Sequence, residues 1–464
     1  MTVDMVVVDS HVMLPQGMVD RNIIIEDGRI AGLSTDVPAC DTKIDGAGLV
    51  SVPGPIDPHV HYGVYSPIDE AAKTESHAAA VGGITTMIRM LRLGVPFSEG
   101  LQPQLDASAR AHHIDYTIHA SVFTQRQIQE MGHCVSKGVS SFKIYMNLGG
   151  EVGHVYMDMP PHIARIQDAR VDVTDEIVEG TVRRAAELNC PVLVHAEDSE
   201  SCACGIKTAK GEKRDGLSAW SASRDPQYEA KAIRTVCGYG RRYGCTIYFV
   251  HIGSRAALEQ IRAERRQGGR ILVESCPHYM VLSHEDRSGY LAKVMPPIRT
   301  AADNEAVWEA AAAGEVDTIG TDHVANRLSL KVGADVWESL AGFPGIGVAV
   351  PILLSEGVNR GRISLERFVR LTSLNAARFF SMYPRKGSLE RGADADIAML
   401  DLKREQRVTP ELFGGYSDYT VYDGMVLRGW PVRTLVRGSV VAEEFEVVSK
   451  PGYGRFVHRS PGSS

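Results

Sequence analysis

The chain alternates two textures of apolar and polar positions. In the first, short apolar runs are separated by longer segments whose apolar residues recur at helical spacing. The runs "IDPHVHYG" (56–63), "GITTMIRM" (83–90), "DYTIHASV" (115–122), "SSFKIYM" (140–146), "PVLVHAE" (191–197), "TIYFVHIG" (246–253), "RILVESC" (270–276) and "VDTIGTD" (316–322) predict eight strands. Between them, "TDEIVEGTVRRAAELN", "PQYEAKAIRTVCGYG" and "SRAALEQIRAERRQ" predict amphipathic helices, the first opened by Thr174 as N-cap. Nearly continuous apolar strands alternating with helices predict a parallel sheet covered on its outer face. Eight such units predict an α/β fold, a (β/α)8 TIM-like barrel over 53–385. An open doubly wound sheet is the alternative, but the chain has neither a GxGxxG nor a P-loop.

The second texture occupies both ends. Residues 1–52 and 386–445 carry β-branched runs broken by turn signals such as Asp27-Gly28, Asp45-Gly46 and Asp423-Gly424, with no helical pattern. These segments predict one small β-sandwich domain built from both termini, with the barrel between them. Residues 446–464 read as a C-terminal tail, and "RSPGSS" as its frayed end.

Composition narrows the function. The chain has 464 residues and a formal net charge of −7, which argues against nucleic acid and anionic membranes as partners. The eight cysteines include no CxxC pair and suit reduced thiols in the cytoplasm. Cys202 and Cys204 alone make a poor metal site. No signal-peptide pattern and no apolar stretch of membrane-spanning length occurs.

Candidate chemistry lies where a barrel places its active site, at the C-terminal ends of the strands. His59 and His61 end the first strand, and their spacing turns both to one face. Lys143 lies on the fourth strand, His195 ends the fifth, His251 the sixth and Asp322 the eighth. Taken singly, each has a bland explanation: a histidine near a strand is ordinarily structural, a lysine snorkels, and an Asp after a strand caps a helix. Their joint placement favours chemistry. Imidazoles and a carboxylate bind Zn or Mn. A buried lysine can shed its charge by taking up CO2 as a carbamate, which bridges two ions about 3.5–4 Å apart; the ions then share a hydroxide that attacks an amide carbonyl. Asp322 would carry its proton to the leaving nitrogen.

On these residues the sequence resembles the amidohydrolase superfamily, and within it the cyclic amidases: hydantoinase, dihydropyrimidinase, allantoinase and dihydroorotase. "PGPIDPHVH", "SFKIYM", "VLVHAED", "FVHIGS", "ESCPHYMVLS", "MPPIRTAADNEAVWEA", "DTIGTDHVA" and "KGSLERGADADIAMLD" match in order over nearly the whole chain. The resemblance implies that His59, His61 and Asp322 hold one divalent ion and His195 and His251 the other. Carboxylated Lys143 would bridge them, with Asp322 as acid/base. His323 would touch substrate or order Asp322. It also implies a homotetramer or homodimer. The implied substrate is a small cyclic amide or imide, with Tyr145 and Asn147 and the main chain at Met295 and Ala341–Gly342 as contacts. Loop 147–162 would form a lid.

Two departures bear on the substrate. Dihydroorotases carry an Arg where this chain has Gly63, which argues against an acidic ring. Hydantoinases place a Tyr, an oxyanion donor, where this chain has Leu148. Tyr145, Asn147, His154 and Tyr156 are the candidate replacements. The competing readings are the same site acting on another bond (an open-chain amide, a lactone or a deamination) and a non-catalytic scaffold.

Overall fold

The computed structural model describes residues 2–161, 163–286 and 288–462. Seven strands run parallel in chain order: Ile56–His61, Thr86–Leu91, Asp115–Ser121, Phe142–Tyr145, Val192–His195, Ile247–Phe249 and Ile271–Ser275. The eighth is split. Thr318–Ile319 pairs with the seventh strand, and His323–Val324 pairs with the first. Only Gly320, Thr321 and Asp322 separate the halves, so the hydrogen-bonded path returns to its start and the barrel closes. Gly320 is required there: a Cβ would lie 2.8 Å from the Glu274 Cδ and 2.9 Å from the His59 Cβ.

The strands are apolar because both their faces are covered. Helices pack outside with stripes such as Ile177, Val178, Thr181, Val182 and Ala185 of Asp175–Glu187 buried against them. Thr174 caps that helix, as its sequence predicts.

Both ends of the chain build one further sheet. Its path runs Glu446–Val447, Ser439–Glu443, Val426–Val436, Ile397–Arg407, Val50–Pro53, Val3–Leu14, Gly17–Glu26 and Arg29–Ser34, with Cys40–Asp45 also on Val3–Leu14. Val50–Pro53, the last strand before the barrel, pairs antiparallel with Ile397–Arg407, the first long strand after it. Val7, Val12, Ile23, Ile25, Ile397 and Leu435 belong to its core. The alternating β-branched runs at the two termini are thus halves of one β-sandwich domain.

The tail departs from expectation. Arg459 is not frayed but buried, its N–H bonded to the Gly138 carbonyl. Its guanidinium donates to Thr117 Oγ1 at 3.1 Å, to Ser141 Oγ at 2.9 Å and to the Ile118 carbonyl. Long-range polar partners, invisible to local composition, hold this end beneath the third and fourth strands. Among the described residues no helix is long and apolar enough to cross a membrane.

Candidate active site

Asp57 fixes the geometry first. Its Oδ1 accepts the His59 N–H at 3.0 Å and the Thr321 N–H at 3.1 Å, and its Oδ2 accepts the Thr321 hydroxyl at 2.5 Å. The first strand is thereby tied to the break in the eighth, which brings Asp322 opposite His59 and His61. Asp322 and His251 both have left-handed backbones, with φ of 49° and 44°. Such conformations are costly for residues other than glycine and concentrate at functional sites.

The His59 and His61 Nε2 atoms lie 3.2 Å apart, and Asp322 Oδ1 is 3.3 and 3.2 Å from them. Two imidazole nitrogens and a carboxylate oxygen converging this closely form a donor set for a divalent cation. The Nδ1 of His59 is 2.6 Å from Glu274 Oε1. Such a carboxylate partner fixes the ring and leaves Nε2 to face the ion. Burial pulls the His59 pKa down to about 3 and pushes that of Glu274 up to about 8. Burial also lowers His61 and His251 well below the ordinary histidine range, so these rings are neutral and able to ligate.

The other two histidines adjoin this group. The His251 ring stacks on that of His59 at 5.5 Å and meets the edge of His195 at 4.5 Å between centroids. His195 is oriented through Nε2, 2.7 Å from Glu197 Oε2, and Arg224 clamps that carboxylate with bonds of 2.9 and 2.6 Å. Lys143 is fully buried, and its Nζ has no hydrogen-bond partner among the described residues. The His251 and His61 Nδ1 atoms are likewise buried without partners. Burial lowers the Lys143 pKa to about 7. Neutral imidazoles, a carboxylate and an unpaired amine together fit a divalent metal site.

A cavity of roughly 350 Å3 opens above these groups. Tyr145, Asn147, Met295, Ala341 and Gly342 all line it, as do Leu148, His154 and Tyr156. His323 does not. Its Nε2 is 2.7 Å from Glu75 Oε2, and its Nδ1 accepts the Gly345 N–H at 3.0 Å. Both ring nitrogens are thus engaged with groups outside the cavity lining. The segment expected as a loop lid contains a strand, His154–Met157, paired with Gln167–Arg170 as a hairpin. Cys202 is buried and Cys204 exposed, and neither joins the site.

Sequence reasoning missed Asp57, Glu197, Glu274, Arg92 and Lys331. Glu274 had a local signal, a carboxylate inside the apolar run "RILVESC". A second acidic group, Asp115, Asp394 and Asp396, is not available to a metal: the Lys386 Nζ fills it, at 2.5, 3.0 and 2.6 Å from the three carboxylates.

The profile of the amidohydrolase family matches residues 166–441. The L-hydantoinase of Paenarthrobacter aurescens is 31% identical over 472 residues, covering 98% of both chains. The allantoinase of Rubrobacter xylanophilus is 31% identical over 446 residues, covering 93% of both. Among solved structures, the L-hydantoinase (dihydropyrimidinase) from Arthrobacter aurescens superposes with a TM-score of 0.90 at 29% identity, covering 99% of this chain and 100% of that one. Similarity therefore extends through the β-sandwich as well as the barrel, and the chain belongs to the amidohydrolase family, in its cyclic amidase group.

Proposed function

We propose that the protein is a metal-dependent hydrolase that opens a cyclic amide or imide ring, with two zinc or manganese ions bridged by carboxylated Lys143. The observation that carries this reading is the buried Lys143 Nζ, without a hydrogen-bond partner among the described residues, beside four neutral histidines and Asp322. An amine with a pKa near 7 is substantially neutral at physiological pH. It can attack CO2, forming an N–C bond and releasing a proton, and the resulting carbamate is an anion suited to two cations.

The bound ions would supply Lewis acidity and an ionised water near neutral pH. The chain's residues do the rest. The Asp322 carboxylate, opposite the first histidine pair, accepts the water's proton as the carbonyl carbon is attacked. It returns that proton to the ring nitrogen as the C–N bond breaks. The main chain at Met295 and Ala341–Gly342 orients the ring. Leu148 offers no hydroxyl, but Tyr145, two residues beyond Lys143 on the same face, lines the cavity and carries one, 3.5 Å from Ser121 Oγ. We assign Tyr145 as the donor to the reacting carbonyl.

The wider reading includes residence in the cytoplasm, which eight free thiols support. It also includes assembly as a homodimer or homotetramer, which exposed Leu328, Leu330 and Val332 on one short segment support.

Elemental analysis and turnover test the centre together. The wild type is expected to hold two divalent ions per chain and to open hydantoin, dihydrouracil or another ring of that class. Lys143→Ala is expected to lose the bridging carboxylate, stoichiometric metal and activity. Apoprotein remetallated without CO2 is expected to recover activity only when bicarbonate is added. A fully active Lys143→Ala protein rules out the carbamate. A wild type that binds no stoichiometric metal returns the chain to the scaffold reading.

A further inference from the structure

The cavity wall carries three charged side chains that ring opening leaves unused, Arg92, Lys293 and Glu338. Arg92, just beyond the second strand, lines the cavity together with His59, His61 and Tyr145. Its guanidinium makes no hydrogen bond or ion pair among the described residues, and its Nε is buried without an acceptor. The neighbouring carboxylate is already engaged: Asp158 Oδ2 lies 3.0 Å from Arg89 Nη2 and accepts the backbone N–H of Arg92 at 2.8 Å. The other cation on the wall, Lys293, is engaged too. Its Nζ donates to the Ser339 carbonyl at 2.5 Å and lies 4.3 Å from the Trp220 ring centroid.

A guanidinium keeps its charge at any physiological pH. Arg92 is half-buried: its Nε is shielded from water and lacks an acceptor, and an anionic ligand group in the cavity would supply one. The fork of donors suits a carboxylate, which it can bind through two parallel bonds.

Gly63 explains why the cation comes from this strand. Its φ is +87°, and a Cβ there would lie 2.6 Å from Arg89 Nη2. Position 63 therefore makes room for Arg89, Arg89 holds Asp158, and Asp158 holds the backbone of Arg92. The absence of an arginine at 63 argues against an acidic ring in the sequence alone; in the folded chain the next strand supplies the guanidinium.

We infer that the substrate is a cyclic amide or imide bearing a carboxylate substituent, and that Arg92 binds that carboxylate. This rests on the ring-opening function proposed above. The test compares two rings of the same shape, hydantoin carrying a carboxymethyl group at C5 and its uncharged carbamoylmethyl counterpart. Wild type is expected to favour the acid in kcat/KM by roughly 10- to 100-fold. Arg92→Met is expected to collapse that ratio through KM for the acid, and Arg92→Lys to retain part of it. Calorimetry with the ring-opened diacid supplies a readout without turnover: its affinity should fall by a similar factor in Arg92→Met. Equal kcat/KM for the two rings in the wild type overturns the inference. So does an equal loss of kcat on both rings in Arg92→Met, which would assign the guanidinium to the reacting carbonyl. If metal-loaded wild type opens neither ring, the ring-opening reading fails, and the calorimetry alone decides the role of Arg92.

Discussion

Lys331 illustrates how a single charged side chain can organise a site it never touches. It is fully buried, and its Nζ donates to the carbonyls of Lys293, Leu340 and Gly342 at 2.8, 2.6 and 2.8 Å. Burial lowers its pKa well below the ordinary lysine value, and three carbonyl acceptors, one for each proton of the ammonium, oppose that. The carbonyls belong to the two segments that bring Met295 and Ala341 to the cavity, so Lys331 is a positioning residue for the substrate loops. Lys331→Met is expected to raise KM about 10-fold or more while metal content stays at the wild-type level, since supporting contacts of this kind act through the groups they hold. Steady-state kinetics with elemental analysis check this; an unchanged KM would mean the loops hold themselves. Nothing in "LSLKVG" announces this role. His59 and His61 were legible because their spacing and their place at a strand end are local facts. Glu274, which orients His59, lies 215 residues away, and Thr321, held by Asp57, lies 264 residues away. A sequence without aligned relatives carries no record of such pairings. Arg92 was illegible for the same reason, since only the folded chain reveals that its guanidinium lacks a partner.

At the scale of elements, the barrel was readable because each strand is an apolar run bounded by polar residues, and helical stripes fill the intervals. The division of the eighth strand was not readable. "VDTIGTD" looks continuous, yet its last three residues leave the ladder so that Asp322 can adopt φ 49° and face the histidines. Residues 463–464 lie outside the described residues, and the start of "RSPGSS" was misread because Gly, Pro and Ser near a terminus ordinarily signal fraying. Its one arginine decides otherwise. Arg459→Ala would leave Thr117, Ser141 and the Ile118 carbonyl without their buried donor. Loss of buried charge-assisted bonds of this kind destabilises by about 2–4 kcal/mol. Urea denaturation should show the midpoint falling with an unchanged slope. A midpoint equal to wild type would make the tail a peripheral strap.

At the scale of the molecule, a continuous apolar core joins the β-sandwich to the barrel, and a buried charge cluster is set into the same junction. Asp115 begins the third barrel strand, Asp394 and Asp396 lie where the chain re-enters the sandwich, and Lys386 stands among all three. Arg437, from a turn of the sandwich, also pairs with Asp115. Burial raises the Asp115 pKa, but Lys386 and Arg437 together outweigh burial and hold it below the ordinary aspartate value. The stability Asp115 contributes is therefore present above that ordinary value and is lost as the pH falls through its lower folded-state value. Lys386→Met removes the central cation and leaves the carboxylates buried. Breaking a buried pair in this way costs about 3–5 kcal/mol at neutral pH. In the variant Arg437 still faces Asp115 and Arg385 still pairs with Asp394, but the cation that lowers both Asp115 and Asp396 is gone, so these two carboxylates titrate at higher pH than in the wild type. A group whose folded pKa lies above its unfolded one regains stability as it protonates, so the deficit of the variant should shrink from pH 7 towards pH 4. Urea denaturation of both proteins across that range measures the gap. A deficit that is constant with pH would mean that Lys386 acts by packing alone and that charge does not join the two domains.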